Sequence, residues 1–131
     1  MPLQVELVSP ERILFSGEAE MVTCRTGSGD IAFLTGHAPF LGSLEIFPVA
    51  IHLTDGSVEH AAVHGGIVEV SNSRVIILSD QAELKDQIDV EQALRDKEEA
   101  ERRLAETDDV ECEAQLRRAH ARLVVAGHPS V

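Results

Sequence analysis

The sequence predicts an α+β protein: an all-β sandwich or barrel over residues 1–84, then an antiparallel two-helix hairpin over residues 85–131. Three observations predict it. Apolar and polar residues alternate in short runs from Leu3 to about Ala82, the period of half-buried strands. After Leu84 the apolar residues recur at helical spacing instead. Turn-forming residues crowd the first part, whereas no Gly or Pro occurs between Lys85 and Ala126.

In the first part, Leu3, Val5 and Leu7 alternate with Gln4 and Glu6, and Ala19, Met21 and Thr23 with Glu18, Glu20 and Val22. Ile46, Val49–Leu53, Val58, Ala61–Val63, Ile67–Val70 and Val75–Leu78 supply further strands. Breaks are expected at Ser9-Pro10, Ser16-Gly17, Gly27-Ser28-Gly29, Gly36, Asp55-Gly56, Gly65-Gly66 and Ser71-Asn72-Ser73. Asp55-Gly56, between two apolar strands, reads as a type I′ hairpin, a turn that needs positive φ.

In the second part, Asp89 followed by Gln92 predicts a capping box, and Val90, Ala93, Leu94, Lys97, Ala100 and Leu104 form the stripe of one helix. Asp108 followed by Glu111 predicts a second box. Cys112, Leu116, Ala119, Leu123 and Ala126 form the next stripe, closed by Gly127 and Pro129. These stripes are thin and alanine-rich. A hairpin of this kind buries only a few side chains, at about 1.5–3 kcal/mol each. That barely offsets an ordering cost of about 1 kcal/mol or more per residue. The hairpin is therefore expected to lean on the sandwich, a ligand or a partner.

The charge of −12 argues against nucleic acid and against direct contact with an anionic membrane. No run of about 18 apolar residues exists to span a bilayer, and no basic start followed by an apolar run marks a signal peptide. Two distant cysteines, Cys24 and Cys112, fit a reducing compartment better than a disulfide framework. Residues 1–84 hold three Arg against eleven acids, and residues 85–131 hold eight Lys and Arg against twelve acids. Within the second helix the signs separate, with Glu111 and Glu113 first and Arg117, Arg118 and Arg122 later. This order complements the helix dipole and also makes a basic patch suited to an acidic partner.

The stretch DIAFLTGHAPFLGSL, residues 30–44, places Gly36, His37 and Pro39 in a tight turn. Such a turn suits a metal site, a catalytic loop or a docking corner. His37 has no nearby Cys or second His. His60 and His64 flank an apolar strand, and four residues along a strand span about 13 Å, too far to share one metal ion. TGSGD, residues 26–30, lacks the Lys-Ser/Thr of a phosphate loop. There is no G-x-S-x-G elbow, and no catalytic constellation is expected.

With these elements placed, the chain resembles the epsilon subunit of F-type ATP synthases along essentially its whole length. GDIAFLTGHAPFLGSL (29–44) is similar to the family's Gly-Glu, apolar, Gly, apolar, Leu-Pro-Gly-His-x-Pro-Leu, departing at Asp30, Ala32 and Thr35. VHGGIVEVSNSRVIILSDQAE (63–83) is similar to the family's Gly-Gly-Phe-x-Glu-Val, Asn or Asp turn, and apolar strand ending Ala-Glu. IDVEQALRDKEEAERRLAETDD (88–109) resembles its first helix and turn.

The resemblance implies a non-catalytic rotor subunit of the central stalk, peripheral to the cell membrane on its cytoplasmic side. Its sandwich would bind the gamma subunit and the ring of c subunits, coupling proton flow to rotation. Asp30, Thr35, Gly36, His37 and Pro39 would form the docking corner towards the ring, with Asp30 beside the turn. The hairpin would either fold on the sandwich or extend along gamma towards alpha and beta, restraining ATP hydrolysis. Arg117, Arg118 and Arg122 would then meet an acidic loop of beta. Some bacterial members bind ATP through Ile-Asp-x-x-Arg-Ala and arginines of the second helix. Ile88, Asp89, Ala93, Arg118 and Arg122 match that pattern, while Gln92 stands in place of its arginine. No other cofactor and no metal is implied. Two other classes fit the composition: a free-standing β-sandwich nucleotide or ligand sensor with a helical lid, and a hydrolase using His37 or His64.

Overall fold

A computed structural model of the chain describes residues 2–128. Seven strands come first: β1 (Leu3–Val8), β2 (Ile13–Thr26), β3 (Gly29–Leu34), β4 (Phe40–Leu53), β5 (Val58–Ser71), β6 (Arg74–Leu78) and β7 (Ala82–Leu84). A single 3-10 turn at Lys85–Gln87 leads into α1 (Val90–Leu104) and α2 (Val110–Ala126).

Three long strands build the sandwich because each belongs to both layers. The first half of β2 pairs with β1 and its second half with β3. Likewise β5 pairs with β7 through residues 61–63 and with β6 through residues 67–71, while β4 runs antiparallel along nearly all of it. One layer is thus β3, β2, β4, β5 and β7. The other is β4, β5, β6, β1 and β2, joined by a parallel pairing of β1 with β6. Leu3, Val5 and Leu7 of β1 point between the layers with Val22, Phe33, Ile51, Val68 and Ile77, all fully or almost fully buried. The alternation in the sequence is this inward row.

Two expected breaks lie inside strands. Ser16-Gly17 continues β2, and Gly65-Gly66 lies within β5. There β5 leaves one layer for the other, and both glycines take positive φ, 90° and 129°. A Cβ at Gly66 would stand 2.2 Å from the Leu78 carbonyl oxygen, so the crossing admits no side chain. The type I′ turn is also not where it was expected. Asn72 and Ser73 both have positive φ, and they join the paired residues Ser71 and Arg74 as a two-residue hairpin loop. At Asp55-Gly56 only the glycine has positive φ. Leu53 accepts from Gly56 N, and its own N–H donates to Ser57, a three-residue loop. The Asp55 carboxylate accepts from the Ser57 backbone N–H at 2.9 Å, an Asx turn that makes the tighter loop unnecessary.

Both helices form where their stripes predict. Asp89 caps α1 by accepting from Gln92 N at 3.0 Å, but the Gln92 side chain turns to Asp96 instead of closing the box. The second cap is Asp109 rather than Asp108, accepting from Glu111 N at 2.8 Å. Gly127 ends α2 with a left-handed φ of 74°, and Pro129 lies outside the described residues. Ala93 and Ala100 of α1 are buried in the hairpin seam, as are Cys112, Ala119 and Leu123 of α2. A second face of α2 is buried too: Ala121 and Val125 pack on Ala62 of β5, with Ile88 beside them. The hairpin is therefore folded back onto the β3-β2-β4-β5-β7 layer.

Candidate functional site

The outer face of that layer carries a row of β5 residues, His60, Ala62 and His64, opposite Ala50, Pro48 and Ile46 of β4. Ala62 leaves room for α2, and β7 brings Glu83 opposite Ala62. The Glu83 carboxylate joins both parts of the molecule. Its Oε1 accepts from His64 Nε2 at 2.9 Å and from Arg122 Nε of α2 at 2.6 Å. Because the partner is a carboxylate, the His64 proton sits on Nε2. The His64 side chain is 1% exposed, and its Nδ1 finds no partner among the described residues. Arg122 Nη1 also lies 4.0 Å from Asp96 of α1. Strands β5 and β7 thus meet α2 at one anion, and α1 adds a second carboxylate on the far side of Arg122. Burial pushes the Glu83 pKa up, but the hydrogen bonds from His64 and Arg122 outweigh it and hold the carboxyl below its usual value. Sequence reading missed this node. Its signal was the polar residues His64 and Glu83 on faces that strand alternation assigns to solvent.

The three arginines have different surroundings. Arg118 reaches back along its helix to Glu111 at 2.7 Å, and Arg122 is held by Glu83. Arg117 is exposed and makes no ion pair or hydrogen bond among the described residues. Of the residues matching the nucleotide pattern, Ala93 is buried and Ile88 packs beneath α2. The Gln92 side chain donates to Asp96 at 2.8 Å and accepts from Arg95 at 2.9 Å.

The glycine–histidine–proline turn follows β3. Gly36 has φ of 84°, and His37 N donates to Leu34 O at 3.0 Å, closing the turn. The His37 ring stands edge-on to Phe33 with centroids 4.9 Å apart, and its Nδ1 lies 2.7 Å from Ala38 O. The ring fastens the turn to the core. Leu34 and Leu41 flank it, 53% and 69% exposed. Thr35, Gly36 and Pro39 lie at the surface. Asp30 does not sit beside this turn. It is at the other end of β3, about 13 Å from Leu34 along the strand. There it takes Arg25 Nε at 2.6 Å and Nη2 at 3.3 Å. The reason is register: Asp30 is directly opposite Arg25 across the β2–β3 pair. The Arg25 pairing lowers the Asp30 pKa.

The opposite layer has a bare outer face. Ile13, Val8, Leu78 and Ile67 are in register across it, an apolar row in which Ile67 and Leu78 are each about half exposed. Among the described residues no helix is long and apolar enough to cross a membrane.

The sandwich thus has one face covered by the latched helical hairpin, while the other carries an exposed apolar row beside the Glu6–Arg74 pair. The delta/epsilon-chain β-sandwich domain of ATP synthase matches residues 2–85, and the delta/epsilon-chain long α-helix domain matches residues 86–127. The ATP synthase epsilon chain of Streptomyces avermitilis is 42% identical over 120 residues, covering 92% of this chain and 97% of its own. That of Bacillus licheniformis is 41% identical over 128 residues, covering 95% and 97%. Among solved structures, a chain of the Euglena gracilis mitochondrial ATP synthase, resolved with its c-ring, has the same fold. It superposes with a TM-score of 0.82 at 22% identity, covering 97% of this chain and 82% of its own. The chain belongs to the delta/epsilon chain family of ATP synthase.

Proposed function

We propose that this chain is the epsilon subunit of an F-type ATP synthase, a non-catalytic part of the central stalk that couples proton translocation to rotary ATP synthesis. The observation that carries the reading is the match of both family domains, in order, over residues 2–127. Residues 1–84 serve as the gamma- and c-ring-binding unit and residues 85–131 as the regulatory hairpin. The complex lies at the cytoplasmic side of the cell membrane, which this subunit reaches only through its partners. The apolar row Ile13–Val8–Leu78–Ile67 supports docking of gamma on the bare layer, since half-exposed aliphatics in register form a patch. The hairpin restrains hydrolysis when it leaves the sandwich and extends towards alpha and beta. A docked state held by one small apolar cluster and one carboxylate node suits an element with two packings of similar energy.

The experiment is reconstitution of an ATP synthase lacking its epsilon chain. Adding this protein should restore proton-driven synthesis and give a complex in which it co-purifies with gamma and the c-ring. Failure to associate with gamma overturns the reading. Asp30 and the Gly36-His37-Pro39 turn lie at opposite ends of β3, about 13 Å apart along the strand, and can be tested as separate contacts. Asp30→Arg and His37→Ala, made separately, should therefore differ: only the variant at the ring-facing end should uncouple synthesis while leaving gamma association intact.

A further inference from the structure

A groove of about 400 Å³ runs between α2 and the outer face of β2, β4 and β5. Its walls are apolar: Phe47, Pro48 and Ala50 on the sandwich side, Ala121 and Val124 on the helix side. The remaining side chains that reach it include Arg25, Arg117, His60 and His120, and no Asp or Glu lines it. That is unusual on a chain with 23 acids against 11 Lys and Arg. Arg25 is already committed, bonded to Asp30 and lying 3.7 Å over the Phe47 ring. Arg117 is not, since it makes no ion pair or hydrogen bond among the described residues. One uncommitted guanidinium therefore stands over an apolar trough, with two imidazoles as further polar partners. The node at Glu83 is not part of this lining.

We propose that the groove binds a small amphipathic anion, a medium-chain carboxylate. Its tail lies along Phe47, Pro48, Ala121 and Val124, and its carboxylate pairs with Arg117. The volume falls within the range of about 300–1,000 Å³ that small-molecule sites occupy, and the mixture of apolar wall and few polar groups is theirs too. A guanidinium favours a planar carboxylate because two N–H groups can donate to two oxygens. Both walls are needed, one from the sandwich and one from α2. A ligand bound here therefore stabilises the docked hairpin by mass action, whatever complex the protein joins.

The test uses the full chain and decanoate below its micelle concentration, with decyltrimethylammonium as a cation carrying the same tail. Calorimetry should show decanoate binding, with the cation weaker by about tenfold or more. Arg117→Gln and Val124→Glu should each weaken decanoate binding by about tenfold. Both positions are exposed, so the fold, checked by circular dichroism, should persist. Amide exchange along α2 should slow when decanoate is bound. Absence of binding, equal binding of the cation, or unaltered affinity in both variants overturns the proposal.

Discussion

Arg122 of α2 donates from Nε to Glu83 Oε1 of β7 at 2.6 Å, and this bond ties the hairpin to the sandwich. The basic patch of helix two is therefore not one feature. Removing all three arginines as a set would suggest a shift towards docking, if each served only an acidic partner. The geometry divides them. Arg122→Ala removes a latch of the docked state, leaving Glu83 half-buried with one donor fewer. The loss should be about 1–3 kcal/mol, the range for a charge-assisted bond with its partner left behind. Hydrogen exchange in α2 should rise, and hydrolysis by the reconstituted complex should fall as the hairpin extends more often. Arg117→Ala should leave exchange in α2 unchanged. If Arg122→Ala leaves exchange unaltered, the latch contributes nothing.

The same carboxylate makes docking sensitive to acid. Glu83 has a folded pKa below the ordinary 4.5, because His64 and Arg122 together outweigh the opposing effect of burial. A carboxyl with a depressed folded pKa binds its proton more readily when undocked or unfolded. Its stabilisation is complete above about pH 4.5 and is lost as pH falls through the lower, folded value. Docking, followed by a fluorescence pair across α2 and the sandwich, should weaken as pH falls through the lowered Glu83 value, because protonation removes the charge that Arg122 pairs with. Glu83→Gln should dock less well at neutral pH and lose the acid dependence. An unchanged acid transition in that variant would assign the titration to other carboxyls.

How far the sequence could be read follows from the range of each interaction. The inward rows of β1 and β6 are local alternation, and the Cys112–Ala119–Leu123 stripe is local periodicity, so both were legible. Caps and turns depend on one or two residues in competition, and there the reading slipped. Asp109 won the cap from Asp108, and Asn72-Ser73 took the I′ turn from Asp55-Gly56. The node needed contacts between residues 64, 83 and 122, 39 positions apart at the longest single bond, and no local pattern encodes them. Ala121 and Val125 showed only as apolar residues beside the main stripe. They mark the docked face, visible once the sandwich is in place. Asp30 was misplaced because nearness to the turn in sequence was taken for nearness in space, which an extended strand denies.

The crossing of β5 between layers makes a prediction about stability. Gly66 has φ of 129° and would place a Cβ 2.2 Å from the Leu78 carbonyl oxygen. Gly66→Ala combines a strained backbone with a clash against main chain, which cannot rotate away. The expected cost is about 3 kcal/mol or more. Gly27→Ala is the control, since nothing lies within 4 Å of a Cβ there and its φ is not in the left-handed range. Urea melts of both variants decide it. Similar midpoints would mean that β5 can cross elsewhere.

The last prediction concerns nucleotide binding by the hairpin. Gln92 occupies the place of the arginine in the pattern it otherwise follows, and its amide is held between Asp96 and Arg95. Arg118 and Arg122 are each bonded to a carboxylate. ATP must therefore compete with Glu111 and Glu83 for those guanidinium groups, without a third cation at position 92. Gln92→Arg supplies that cation. Asp96, one turn further along α1, would offer it an exposed i,i+4 pair, about 0.3–0.5 kcal/mol. A charged phosphate contact is stronger, about 1.5–3 kcal/mol. The phosphate contact wins that comparison, so ATP affinity should rise roughly tenfold or more in the variant. Glu111→Gln, which frees Arg118, should strengthen it further. Calorimetry on the unaltered protein and both variants checks the ranking. Micromolar binding by the unaltered protein would show that Gln92 serves the phosphate as well as arginine does.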